Sequence, residues 1–246
     1  MATWNLRLYP ITRWLRHITA AVACLVACFT CAQSARADVT AVVKDGTLQI
    51  TADLGTGAQI NLEGRLDEDI QILVSGAPLV SIPRAGVSKI DIFADRSLVT
   101  FGIFDFAGDV DIEVLTDGRC ELGGLNLQGD LVLSGSAGGI TVLYEGGDPI
   151  IDGNVTLNGG PGADYFGTFP VSSGSLSISG DLKIDGGPGN DSVFLEDAII
   201  LGHTCIDLGQ STGGGQSSFD ADSCGFRFCQ FFGSVMILGD EGADDL

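Results

Sequence analysis

A glycine-rich turn recurs along the second half of the chain, and its spacing constrains the fold more than any other feature. The first glycines of successive turns, Gly159, Gly186 and Gly213, are equally spaced, and Gly239 follows at almost the same interval. Self-similarity at such a period indicates a repeat architecture. Four repeats begin with glycine and a polar or small residue, alternate apolar and polar residues, and then turn: GDLVLSGSAGGITVL from Gly129, GNVTLNGGPGADYF from Gly153, GDLKIDGGPGNDSVF from Gly180 and GSVMILGDEGADDL from Gly233.

The alternation predicts an all-β chain. It continues upstream in GTLQITA at Gly46, SKIDIFA at Ser88 and GDVDIEV at Gly108, and alternation of this kind is typical of half-buried strands. No long segment after residue 38 has a helical period. The regular repeat favours a right-handed parallel β-helix, or β-solenoid, in which coils about 4.8 Å apart stack on one another. A β-sandwich of hairpins is the alternative.

The first 37 residues have the features of an export signal. Arg7, Arg13 and Arg16 precede an uncharged apolar run, and Ala35-Arg36-Ala37 provides small residues at a cleavage site. We therefore predict a signal peptide at 1–37 and a single β-solenoid domain at 38–246, with calcium-type turns in 129–246, in a protein that is secreted or held at the cell surface. Leu25-Val26-Ala27-Cys28 resembles a lipobox, so a lipid anchor at Cys28 is the alternative.

Charge excludes some partners. Removal of the signal leaves 8 basic against 32 acidic residues, a formal charge of −24. Such a surface repels nucleic acid and anionic lipid and attracts cations, although solubility alone also explains the acidity. We expect no transmembrane span after residue 37. The remaining cysteines either form two disulfides or stay as buried thiols; they are Cys120, Cys205, Cys224 and Cys229.

The turns GGPGAD at Gly159–Asp164 and GGPGND at Gly186–Asp191 have the donor chemistry of a calcium site. Calcium binds six to eight oxygens at about 2.3–2.6 Å, from carboxylates and backbone carbonyls. Glycine lets the backbone bend enough to direct carbonyls at one point. If the turns stack, Asp164 and Asp191 lie on adjacent coils and share a cation. Structural turns with exposed aspartates are the other interpretation.

These segments resemble the haemolysin-type (RTX) calcium-binding repeat, Gly-Gly-x-Gly-x-Asp-x-apolar-x, and GDEGADDL at Gly239–Leu246 resembles it with Asp240 at the second glycine. The resemblance implies a parallel β-roll with calcium held between turns. The repeats here are separated by long unrelated segments where the family has tandem nine-residue repeats, and the turn at Gly213 lacks an acid. The implied metal ligands are carbonyls near Gly160, Gly162, Gly187 and Gly189, and the carboxylates of Asp164, Asp191 and Asp244.

An enzyme is the less favoured class. His203 is the single histidine after the signal, and its expected role is in a turn. A polysaccharide lyase or hydrolase on a β-helix is the alternative, but the few basic residues suit an acidic polymer poorly. We therefore expect no catalytic role, and a structural, surface or adhesive protein whose partner is a cell-surface or matrix glycan or protein. A purely structural solenoid without metal is the third possibility. The last repeat ends at Leu246 without a cap, so we expect either that the chain is truncated or that the acidic residues Asp240, Glu241, Asp244 and Asp245 prevent stacking by repulsion.

Overall fold

Alternating apolar residues form β-strands throughout the described part of the chain. The computed structural model describes residues 38–53, 59–144, 147–167, 174–211 and 223–239. The predicted signal peptide at 1–37, with Cys28, and the predicted ligand Asp244 lie outside these ranges. Within these ranges every element of regular secondary structure is a β-strand. The all-β prediction is therefore confirmed.

Nine strands, numbered like all others in chain order, form the first large sheet. From β2 onward each strand pairs in parallel with the next member of the sheet. In spatial order the strands are β1 Asp38–Lys44, β2 Thr47–Asp53, β6 Lys89–Ala94, β8 Asp109–Val114, β11 Leu131–Gly135, β14 Val155–Asn158, β17 Leu182–Asp185, β21 Thr204–Asp207 and β25 Val235–Leu238.

The second large sheet has fourteen strands in two columns joined by the long strand β7, Leu98–Phe106. Leu98 of β7 lies opposite Arg119 in the first column, and Phe104 lies opposite Leu125 in the second. The first column contains β9 Gly118–Glu121, β12 Ile140–Leu143, β15 Tyr165–Gly167, β19 Ser192–Glu196 and β23 Ser223–Arg227. The second contains β10 Leu125–Leu127, β13 Ile150–Ile151, β16 Leu176–Ile178, β20 Ala198–Ile200 and β24 Gln230–Phe231.

The order of these strands along the chain gives a β-solenoid-like arrangement. The chain passes once through the first sheet and once through each column of the second, and then pairs with its own previous coil. A two-stranded parallel sheet of β18 Pro188–Gly189 and β22 Gln210–Ser211 extends one corner. The two large sheets are built mainly from parallel pairs between non-consecutive strands, which differs from the alternative of a hairpin sandwich.

Antiparallel hairpin strands lie at the N-terminal end of the second sheet. They are β3 Gln59–Gly64, β4 Ile70–Val74 and β5 Ala77–Ile82. Ser75 and Gly76 connect β4 to β5 with φ of 50° and 77°, as a tight hairpin turn requires. Arg84 fastens this hairpin to the first coil, because its guanidinium donates to the carbonyls of Gly64 and Asp105 at 3.1 and 2.6 Å.

Inward-pointing side chains of successive coils stack into one apolar core. In the first sheet Ile90, Val110 and Leu131 occupy one column of that core, and all three are fully buried. Burial of one such side chain contributes about 1.5–3 kcal/mol. Because each coil is covered by its neighbours, this contribution depends on stacking and not on any coil alone.

The coil length varies, and this corrects the even interval that the glycine clusters predict. Asp130, Asn154, Asp181 and His203 occupy equivalent positions at the start of successive coils, and their separations along the chain are 24, 27 and 22. The turn stacked on Gly186 therefore begins at Leu208, and not at Gly213. The strand signal GHTCID at Gly202 repeats the pattern of the other coils and sets this register, whereas the glycine cluster at Gly213 lies outside the described residues.

Candidate metal centre

The two Gly-Gly-Pro-Gly turns lie side by side on adjacent coils. Asn158 pairs with Asp185 immediately before the turns, and Tyr165 pairs with Ser192 immediately after them. Backbone hydrogen bonds join the turns between these points, including Gly162 N to Pro188 O at 2.9 Å. The strand register therefore places Asp164 and Asp191 at equivalent positions one coil apart, as the sequence predicts.

Both aspartates point into the corner and are buried, which differs from the interpretation with exposed aspartates. Asp164 is 2% exposed and Asp191 is fully buried. The amide of Ile140, one coil below, donates to Asp164 Oδ1 at 2.5 Å, and the amide of Gly160 donates to Asp164 Oδ2 at 3.1 Å. The amide of Asp164 donates to Asp191 Oδ1 at 2.8 Å. Each carboxylate thus links its own coil to the coil below.

Burial disfavours a charged carboxylate at this corner. It raises the pKa of Asp164 from 3.8 to about 6, and the hydrogen bonds from the Ile140 and Gly160 amides and the contact with Asp191 oppose this rise without cancelling it. The amides stabilise the anion, but desolvation is the larger effect. A cation at this corner would favour the ionised form and lower the pKa again.

Glycine is required at this corner because the turns approach too closely for a side chain. A Cβ atom on Gly189 would lie 1.6 Å from the carbonyl oxygen of Gly162. One on Gly159 would lie 2.0 Å from the oxygen of Gly186 and 2.3 Å from Oδ2 of Asp164. Separations below 3.0 Å force the backbone to move. The glycines therefore allow the two turns, and the carboxylate of Asp164, to approach one another this closely.

The structure brings most of the predicted ligands to one corner, and residues 212–222 of the next coil, among them Asp222 just before the paired Ser223, lie outside the described residues. In that coil the amide of Gln210 donates to the carbonyl of Gly187 at 3.1 Å. In the described part of the chain, no group of three or more His, Cys, Asp or Glu side chains is placed to hold a metal ion. The predicted ligands at the corner are Gly160, Gly162, Asp164, Gly187, Gly189 and Asp191.

The corner fits calcium in donor type more than in donor number. Two carboxylates and the glycine carbonyls provide hard oxygen donors. Amide donors already occupy part of each carboxylate, and the described residues place two acidic side chains at this corner. A calcium ion here would be held by Asp164, Asp191 and carbonyls of the turns.

A second column of polar side chains was not predicted from the sequence. It lies where each coil enters the first sheet, and each side chain except that of the last member, Ser234, accepts the amide of the equivalent residue one coil later. Asp130 accepts from Asn154 at 2.7 Å, and Asn154 Oδ1 accepts from Asp181 at 2.9 Å. The complete ladder contains Asp109, Asp130, Asn154, Asp181, His203 and Ser234.

The signal for this ladder is the glycine-polar pair that opens each repeat. A Cβ atom on Gly153 would lie 2.3 Å from the carbonyl oxygen of Gly129, so the coils stack too closely for another residue. The polar residue that follows supplies the acceptor. His203 has this role, because its Nδ1 accepts the amide of Ser234 at 3.1 Å. His203 therefore joins two successive coils through its ring.

Three cysteines of the described chain are thiols. Cys120, Cys205 and Cys229 are free, and burial raises the pKa of the Cys120 and Cys229 thiols. The Cys229 thiol donates to the carbonyl of Leu195 at 3.2 Å. The side chain of Cys224 lies outside the described residues. These environments are those of unreactive structural thiols.

Comparisons with protein-family models, with curated proteins and with solved structures gave no match. A search of the described residues for helices found none with the length and apolar character needed to cross a membrane.

Proposed function

We propose that this chain is an exported, acidic, right-handed parallel β-helix with a structural or adhesive role at the cell surface, and that calcium bound at the Asp164–Asp191 corner stabilises it. Right-handedness follows from the strong preference of parallel crossovers for that hand. The calcium hypothesis rests on one observation above all: two carboxylates are buried one above the other at a corner rich in glycine carbonyls.

Electrostatics supports a cation at this corner. Two buried carboxylates on adjacent coils repel each other if both are ionised, and burial already raises the pKa of Asp164 to about 6. A divalent ion between them would offset both the repulsion and the desolvation. The formal charge of −24 after the predicted signal adds a general attraction for cations.

A metal-free structural corner is the competing candidate, and the three amide hydrogen bonds favour it. If amides from Ile140, Gly160 and Asp164 satisfy the carboxylates, the corner acts as a coil-to-coil staple and needs no ion. The two candidates differ in one measurable property, which is whether calcium changes the free energy of unfolding.

Thermal unfolding of the full chain in excess calcium and in chelator separates the candidates. We expect calcium at about 100 times its Kd to add about 2.7 kcal/mol of stability, and equal magnesium to add much less. Asp164→Asn and Asp191→Asn should each remove about 1–3 kcal/mol of that calcium-dependent gain. Asp152→Asn is the matched control, because Asp152 is an exposed aspartate outside the corner. Identical melting curves with calcium and chelator would reject the calcium site and leave the staple.

A further inference from the structure

A groove crosses the outward face of the first sheet, on the strands that precede the coils of the Asp164–Asp191 corner. Its volume is about 320 Å³, within the range of small-molecule and oligosaccharide sites. It spans three adjacent strands, β6, β8 and β11. Its outward-pointing lining residues are Lys89, Asp91, Phe93, Asp111, Glu113, Val132 and Ser134.

Strand register arranges the lining in two rows. Asp91, Asp111 and Val132 lie directly opposite one another in the first row. Phe93, Glu113 and Ser134 form the second row, further along each strand. The groove therefore runs across the strands, along the direction in which the coils stack. Such an open channel suits an extended chain better than a compact ligand.

The polar groups of the first row are held in place before any ligand binds. The Lys89 ammonium lies 3.0 Å from Asp91 Oδ1 and 2.5 Å from Asp111 Oδ2. This double ion pair fixes a donor between two acceptors on the groove wall. It also places a cation where a metal ion bridging the two carboxylates would have to lie, which argues against a metal site here.

The second row presents an apolar surface beside an acceptor. Phe93 is 39% exposed, although its position on the strand is one that polar residues occupy in neighbouring coils, such as Glu113 and Ser134. An exposed phenyl ring offers a face to the C–H groups of a sugar, while the carboxylate of Glu113 accepts hydroxyl hydrogen bonds.

We propose that this groove binds an uncharged oligosaccharide. The lining carries one basic and three acidic side chains, which disfavours an anionic polymer. Sugar hydroxyls match the alternating donors and acceptors of the Lys89 wall, and the ring of Phe93 packs against a pyranose face. The proposal names the partner class for the surface role proposed above. It does not depend on calcium, because the groove contains neither Asp164 nor Asp191.

Calorimetric titration of the full chain with defined hexasaccharides tests this site. The uncharged probes are cellohexaose, mannohexaose and N-acetylchitohexaose. The charged probes are hexagalacturonate, a chitosan hexamer and hexalysine. We expect at least one uncharged probe to bind with a Kd between about 10 μM and 1 mM, and hexagalacturonate not to bind.

Two variants locate binding in the groove. We expect Phe93→Ala to weaken binding at least tenfold by removing the apolar platform, and Lys89→Met to weaken it about fivefold by releasing the ion pair. Phe232→Ala is the matched control, since this residue is an exposed phenylalanine, 66% accessible, outside the groove. Melting curves with and without calcium confirm that each variant is folded.

Three outcomes would overturn the proposal. They are the absence of binding to every uncharged probe, binding that survives Phe93→Ala unchanged, and binding of hexalysine or the chitosan hexamer alone. The last outcome would identify a cation-binding acidic surface. If calcium does not change the stability of the protein but an uncharged hexasaccharide still binds through Phe93, the calcium hypothesis is rejected and the oligosaccharide proposal stands.

Discussion

At the scale of single residues, Asp164 is the group whose ionisation separates a cation site from a structural staple. Its two oxygens accept amide hydrogen bonds from different coils, from Ile140 below and from Gly160 of its own turn. These bonds stabilise the anion, yet burial keeps the pKa at about 6. Asp164 can therefore be a protonated acid, an anion bound by amides or an anion bound to a metal ion. Varying the pH distinguishes these states.

Stability of the metal-free protein should rise on mild acidification. The folded chain holds the Asp164 proton with a pKa of about 6, above the ordinary value of 3.8 that applies to the unfolded chain. The folded state therefore takes up a proton first as pH falls from 7 to 4. In chelator we expect a gain on the order of 1–3 kcal/mol from this group, complete below about pH 4 and absent above pH 7.

Urea unfolding at pH 7 and pH 5 measures this effect. The Asp164→Asn variant should lose the gain, whereas Asp152→Asn should keep the wild-type slope against pH. Saturating calcium should reverse the trend, since the metal requires the ionised carboxylate and competes with the proton. An Asp164→Asn variant with an unchanged pH dependence would show that this carboxyl group is not the one that titrates.

Close approach of the turns predicts a severe effect of Gly189→Ala. The added methyl would lie 1.6 Å from the carbonyl oxygen of Gly162, so the two coils must separate. We expect a loss of at least about 2 kcal/mol in the free energy of unfolding. Gly86→Ala is the control. Its φ of +89° makes alanine unfavourable, but no atom lies within 4 Å of the new Cβ, and the expected loss is about 1 kcal/mol. Equal losses would contradict the steric explanation.

At the scale of strands and turns, the polar ladder sets the register of the first sheet. An acceptor at each entry point binds the amide one coil later, so a slipped strand would leave that amide without its partner. We expect Asn154→Ala to cost about 1 kcal/mol, as for an ordinary hydrogen bond, because its Oδ1 serves the Asp181 amide at 2.9 Å.

Asn154→Asp provides the informative comparison for that prediction. It keeps the acceptor oxygen but loses the amide donor that reaches Asp130 at 3.1 Å, and it places another negative charge beside Asp130. Chemical denaturation at high salt should therefore bring Asn154→Asp close to wild type and leave Asn154→Ala destabilised. Equal destabilisation of the two variants would show that the acceptor does not matter.

Prediction from sequence succeeds where the local residue pattern determines the structure. Alternation identifies the strands β6, β8, β14 and β17, and the Gly-Gly-Pro-Gly turns locate Asp164 beside Asp191. Coil length is less predictable, since any corner loop can lengthen without disturbing the stacked strands. Glycine content alone predicts the next stacked turn at Gly213, whereas the register follows the strand that begins at Thr204.

Contacts between distant segments also could not be predicted from the sequence. The bond between the Ile140 amide and Asp164 joins two successive coils, and its geometry depends on the exact coil length. The groove beside Phe93 likewise depends on which outward positions of three coils become neighbours. Each position alone has the polarity of an ordinary surface residue, apart from Phe93 and Val132.

At the scale of the whole molecule, contacts between neighbouring coils provide most of the stability of the stack. The two ends of the stack differ in how they are covered. Antiparallel hairpin strands cover the N-terminal coil of the second sheet. At the other end of the described chain, β25 is one edge of the first sheet, and β23 and β24 are edges of the second. The inward-facing Val235 of β25 is 43% exposed, whereas its counterpart Leu182 in β17 is 2% exposed.

Hydrogen exchange should therefore report a gradient of stability along the stack. Amides of β11 and β14, covered on both sides, should exchange at least about 100-fold more slowly than amides of β24 and β25, because a terminal coil opens while it breaks only one interface. Mass spectrometry of peptides from the full chain in chelator measures this gradient. Calcium should slow exchange mainly around β14, β15, β17 and β19, which flank the Asp164–Asp191 corner. Uniform protection from β6 to β25 would mean that the coils unfold as one cooperative unit and that nearest-neighbour stacking does not govern the stability of this fold.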